Sequence, residues 1–155
     1  MIHHLIPRVL SKLLIPFIVL FGFYVQFHGD FGPGGGFQAG VIVAAGIILY
    51  ALIYGLDAAE TVISPGVIGV IMALGLLLYA GVGVATMALG AEFLNYNALD
   101  SHDPVHGQHM GILIIEFGVG VTVAAVMLTI FFKFADRLKL IRDLEQMHGD
   151  DEDVR

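Results

Sequence analysis

The chain has 155 residues, 57% of them apolar, with no cysteine and a formal net charge of −7. Only 14% are charged, well below the roughly one quarter usual in a soluble domain, so membrane spans are to be sought before a soluble core. The absence of cysteine excludes disulfides, thiolate catalysis, iron–sulfur clusters and cysteine-based zinc sites.

Four hydrophobic runs follow in order, at about Val9–Phe27, Phe37–Leu56, Pro65–Gly90 and Met110–Phe132. Each is near the ~20 residues that cross a hydrocarbon core as helix. Runs such as Ile15 to Phe21 do not alternate polar with apolar, which argues against a transmembrane barrel. The expected fold is an all-α integral membrane protein of four helices, forming one membrane domain. A cleaved signal peptide competes for the first run, but that run is long for one and no small-x-small site follows, so an uncleaved helix is expected. Pro16 should kink the first helix, and Lys12 should reach back to the interface.

All seven Lys and Arg lie near the chain ends: Arg8, Lys12, Lys133, Arg137, Lys139, Arg142 and Arg155. The positive-inside bias therefore puts both termini in the cytoplasm. The glycine-rich connection and the Glu92–His109 connection then face outward, and the short Asp57–Ser64 loop faces inward. Beyond the fourth run, residues 133–155 form a cytoplasmic tail. Leu138, Ile141, Leu144 and Glu145 at near-helical spacing extend the helix toward an acidic Asp150–Asp153 run, which reads as solvated.

The connection His28-Gly29-Asp30-Phe31-Gly32-Pro33-Gly34-Gly35-Gly36-Phe37-Gln38-Ala39-Gly40 is the most specific segment. Glycine loops can cradle phosphate, but no Lys-Ser or Lys-Thr follows the glycines and no strand precedes them. No cofactor is expected. Pro33 and Gly34 to Gly36 suit a tight re-entry turn. An irregular backbone at membrane depth is tolerated where it lines a cavity or packs in protein. His28, Asp30 and Gln38 would then face that cavity or a neighbouring subunit, and His28 is the one whose ordinary pKa lies near physiological pH.

Glu116 is an acid inside the fourth run, six residues from its start, or roughly 9 Å deep. An intramembrane charge marks a functional site by default, here a proton- or cation-linked carboxyl. The competing reading is a protonated glutamic acid that only fixes helix packing. His102, His106 and His109 could share a helical face, yet Pro104 and Gly107 argue against a regular helix there, so a hydrated loop without metal is expected. No nucleophile–base pair is suggested, so the chain does not read as an enzyme. Glycine and alanine crowd the runs: Gly40, Ala44 and Gly46, then Gly66, Gly69, Ala73, Gly75, Ala80, Gly81 and Gly83, then Gly111, Gly118 and Gly120. Such residues let helices approach closely in lipid.

The pattern HG-x-x-x-PGGGF-Q-x-G from His28 to Gly40, with GI-x-x-x-E-x-GVG-x-TV from Gly111 to Val123, resembles the MrpB (MnhB) subunit family of multisubunit Na+/H+ antiporters. The two motifs and their spacing cover most of residues 9–132, and the tail lies outside. The resemblance implies a small subunit assembled with other membrane subunits, exchanging Na+, with K+ as an alternative, for H+. Glu116 is its candidate ion-linked residue. His28, Asp30, Pro33, Gly34, Gly35, Gly36, Phe37 and Gln38 are candidates for a structural or ion-facing loop. Gly111, Gly118 and Gly120 are candidates for helix packing. A pure scaffold, in that complex or in a related redox-driven pump, is the alternative; an independent small transporter or receptor is the third.

Overall fold

The computed structural model describes residues 5–29 and 32–153, with side chains for 6–29 and 32–146. Asp30 and Arg155 lie outside the described residues, as do the side chains of the Asp150–Asp153 run. Five α-helices account for almost all of the described chain: α1 (Leu5–His28), α2 (Gly36–Tyr54), α3 (Leu56–Val62), α4 (Pro65–Ala88) and α5 (Pro104–Asp153). Four of them, all but α3, are long and apolar enough to cross a membrane. No strand occurs among the described residues.

α2 and α5 form the centre, with α1 packed on α2 and α4 packed on α5. Contacts from Gly36 and Gly40 of α2 to Glu116, Gly120 and Ala124 of α5 show that the central pair runs in one direction. Further along, Ala44, Ala51, Ala59, Ile68, Ala125, Leu128 and Phe132 make the apolar core. The flanking faces of α1 and α4 carry exposed Phe17, Leu20, Phe21, Leu74, Leu77 and Val84, as expected of helices that meet lipid or another subunit rather than water.

The helix ends are set by local chemistry. α4 starts at Pro65, whose missing N–H costs nothing there, behind Ser64, whose Oγ accepts from the Val67 N–H at 3.4 Å. It ends in a Schellman turn. Gly90, at φ 84°, donates to Met87 O, and the Ala91 N–H donates to Thr86 O. α2 stops at Gly55, whose φ of 99° suits glycine alone.

Two expectations are corrected. The Asp57–Ser64 connection is not a plain loop, because Leu56–Val62 forms one short helix whose Ala59 is fully buried in the core. The region before the fourth run is also helical from Pro104, so His106 and His109 lie on α5 and only His102 precedes it. Pro104 is tolerated because it occupies the first turn. Gly107 is needed there because a Cβ would press on the Tyr96 carbonyl.

Candidate functional site

The glycine connection wraps the Glu116 side chain. A Cβ placed on Gly29 would lie 2.6 Å from one Glu116 carboxyl oxygen and 2.9 Å from the other, and one on Gly35 would lie 3.0 Å from the nearer oxygen. Gly36 meets the Glu116 backbone instead: any side chain there would overlap the Glu116 carbonyl oxygen and press on the Gly120 N–H. The loop backbone therefore closes on the carboxyl from both ends of its arc, an approach that only glycine permits. Gly35 also has a φ of 119°, and its N–H donates to the Val25 carbonyl at 3.3 Å, tying the loop to the end of α1.

This arrangement places the carboxyl beside the N-terminus of α2, whose free N–H groups and dipole favour negative charge. Glu116 lies 12 residues after Pro104, or roughly 18 Å along α5. The α1–α2 connection is level with it, well below the start of α5.

The remaining loop candidates separate. His28 is half-buried, stacks on Tyr24 with ring centroids 5.1 Å apart, and stands next to Gly32. Gly34 packs on the Val25 carbonyl. Pro33, Phe37 and Gln38 are exposed. A residue not singled out from sequence is buried in their stead: Gln26, in the last full turn of α1, is 6% exposed, with its amide oxygen against Gly120. Its signal was available, an amide inside an apolar span, but only the packing of α5 shows that it points inward.

The glycines of α5 each answer a neighbour. Gly118 faces Gly75 O and Tyr79 N of α4, Gly120 faces Gln26 and Gly36, and Gly111 faces the Tyr96 ring. On α4, Gly75 and Gly83 are contact positions, whereas Gly66, Gly69 and Gly81 have nothing within 4 Å. Beneath the polar cluster runs an apolar cavity of about 290 Å³ bordered by all four long helices, including Gln26, Val43, Ile71, Phe117 and Leu128.

The histidine-bearing connection is a separate structure. Asp100 Oδ2 lies 2.9 Å from His106 Nδ1, and Asp100 Oδ1 accepts from the backbone N–H groups of His102 and Asp103. The His106 contact, helped by the Asp103 and His102 amides, holds the Asp100 carboxyl below its usual range. Asp103 caps α5 by accepting from Val105 and His106 N–H. No grouping of three potential metal ligands occurs among the described residues.

The chain matches, over residues 6–129, the family described as a domain related to the MnhB subunit of Na+/H+ antiporter. It is 34% identical to a Na(+)/H(+) antiporter subunit from Bacillus subtilis over 81% of this chain and 89% of that one. Proteins carrying the name antiporter subunit mnhB2 are similar too. The one from Staphylococcus haemolyticus is 32% identical over 79% of this chain and 88% of its own length. That of Staphylococcus aureus is 30% identical over 83% and 92%. The matched span contains the glycine loop, Gln26 and Glu116 and stops about halfway along α5, and on it the chain belongs to the family of MnhB-related antiporter subunit domains.

Proposed function

We propose that this chain is a small membrane subunit of an Mrp-type multisubunit Na+/H+ antiporter, contributing to proton-driven sodium efflux and to pH and salt homeostasis. It acts as part of a transporter, not as an enzyme, beside other membrane subunits. The Lys and Arg at both chain ends support cytoplasmic termini, one membrane domain over the four spans and a cytoplasmic end of α5. In that orientation the glycine loop is on the outer side. Glu116 is the proton- or cation-linked group. The observation that carries this role is the closure of Gly29 and Gly35 around its carboxyl oxygens, next to a helix N-terminus. A carboxyl needed only for packing does not require a backbone shaped to both of its oxygens. Discontinuous helices whose ends meet an ion-linked group near the bilayer centre recur in secondary transporters.

One observation favours a scaffold instead. The hydroxyls of Ser11, Thr122 and Thr129 donate to carbonyls of their own helices, and the cavity below the site is almost wholly apolar. On the proposed reading, the inner half of an ion route is supplied by neighbouring subunits. The two readings part in everted vesicles carrying the whole complex, where Na+-dependent dissipation of ΔpH is followed for wild type and Glu116→Gln. Equal assembly is checked by native gel. Exchange should fall at least tenfold while the complex stays intact; wild-type exchange in the variant would leave the chain a scaffold.

A further inference from the structure

Gln26 is a buried amide that the packing of its neighbours does not use. It is 6% exposed, and its side chain makes no hydrogen bond to another described residue. It borders the cavity beside Phe117, Gly120 and Val121. The buried polar side chains Ser11 and Thr86 behave differently, each donating to a backbone carbonyl in the turn before it. A buried polar group with open capacity calls for a partner, whether water, ion or ligand.

The surroundings of Gln26 narrow that partner. Its amide oxygen lies 2.6 Å from the point where a Gly120 Cβ would be, and the Gly36 carbonyl oxygen lies 3.0 Å from the same point. Gly120 is one helical turn from Glu116 on the same face of α5. The missing Gly120 side chain thus lets two neutral oxygens meet one helical turn along α5 from Glu116. Hard cations are held by carboxylate, amide and backbone oxygens, and the Gly36 carbonyl, which accepts in the first turn of α2, keeps a second lone pair to offer.

Building on the antiporter role of Glu116, we infer that Gln26, the Gly36 carbonyl and the Glu116 carboxyl frame a site for a partly dehydrated monovalent cation, with Gln26 as its selectivity residue. The carboxylate supplies the charge, and the amide and carbonyl replace waters stripped from the ion. The apolar cavity beneath prevents rehydration on that side. Gly36 holds its carbonyl in place only because α2 starts against the Glu116 backbone, so loop and site form together.

The test uses everted vesicles carrying the complete antiporter complex, with initial exchange rates measured against Na+, Li+ and K+ concentration at one pH. Gln26→Leu removes the oxygen and keeps most of the volume. In assembled complex it should raise the Na+ concentration for half-maximal exchange at least fivefold and narrow the preference for Na+ over K+. An unchanged half-saturation and ion preference, with or without a lower maximal rate, would make Gln26 a packing or water-holding residue and overturn the site. If Gln26→Leu does not assemble, Gln26→Asn is read in its place. It keeps the amide on a shorter arm, with an expected shift of two- to threefold and the same overturning result. Glu116→Gln, measured alongside, separates the two ideas. Lost exchange there with no shift in the Gln26 variants defeats the cation site alone, whereas wild-type exchange in Glu116→Gln defeats the antiporter role of Glu116 and the site with it.

Discussion

Around Glu116 the helices meet backbone to backbone, whereas around Phe132, about four turns further along α5, they meet through side chains. At the first level Gly36 lies on the Glu116 carbonyl, Gly40 on the Gly120 carbonyl, and Gly75 and Gly118 on each other's helices. At the second, Ala51, Ala59, Ile68, Leu128 and Phe132 interlock as an apolar core. Lipid tails are as apolar as leucine, so neither level gains from hiding oil from water; both depend on close packing. The difference is what each level encloses. Glycine contacts bring the helices close while leaving polar atoms, the Glu116 carboxyl and the Gln26 amide, between them. Side-chain packing encloses apolar groups, and the space it leaves, the cavity bordered by Ile68 and Leu128, is apolar too.

The largest effect should come from breaking the first kind of contact. In Gly36→Val a side chain would occupy the place of the Glu116 carbonyl oxygen and crowd Gly120 N. Overpacking usually costs about 1–3 kcal/mol, and more where backbone rather than a rotatable side chain must yield. The variant should fail to enter the complex on a native gel. Gly66→Ala, a change of the same kind where nothing lies within 4 Å, should assemble and exchange as wild type within this chain's own packing. Equal behaviour of the two would mean that close approach at Gly36 is not needed.

Next in size is the second kind of contact. Leu128 is almost fully buried in the side-chain core, and Leu128→Ala should cost near the lower end of the ~2–5 kcal/mol seen for such truncations, since lipid is a good solvent for the lost methyls. Thermal unfolding in detergent should show the loss, while exchange per assembled complex stays near wild type. A change in ion half-saturation instead would mean the two levels are coupled, which the comparison denies. Thr86 sits between these cases. It is fully buried, donates to Gly83 O at 2.8 Å and accepts from Leu94 N at 3.0 Å. Thr86→Val leaves the Leu94 N–H without its acceptor, at about 1–3 kcal/mol. The loop it anchors also holds Leu94 at a φ of 63° and seats Phe93 on Gly83, so the variant should show faster amide exchange at residues 89–95.

How much of this was legible depends on the range of the interactions. Four hydrophobic runs give four long helices because length and hydropathy are local. Glu116 stands out because an acid within such a run needs no partner to be noticed. The starts of the helices were harder: α5 begins at Pro104 and not near Met110 because its first turns lie outside the apolar run and are capped by Asp103. Gln26 and Gln38 are both amides flanking the same loop, yet one is buried and the other exposed. Only the position of Gly120, 94 residues away from Gln26 in the chain, decides between them. The same holds for Gly75 and Gly69, identical in sequence terms and opposite in packing.

The smallest effects belong to the exposed ion contacts at the two ends of the bundle, and pH separates them. Lys139 Nζ donates to Asp57 Oδ1 at 2.9 Å, joining α5 to α3, and that contact raises the Lys139 pKa above its ordinary value. A group whose folded pKa is raised contributes stability that is complete below its unfolded value and fades as pH rises through the folded one. Asp100, held low by His106, has the opposite sign: its contribution is complete above the ordinary carboxylate range and fades as pH falls through the depressed value. Both pairs are solvent-exposed and screened by salt, so neither should shift unfolding much at neutral pH. Lys139→Met should therefore melt slightly below wild type at pH 7 in low salt. The gap should persist toward pH 10, close at higher pH, and shrink when salt is added. Asp100→Asn should show its gap at pH 7 and lose it only on strong acidification. A Lys139→Met gap that widened in acid would place the stabilising charge elsewhere than on the α3–α5 contact.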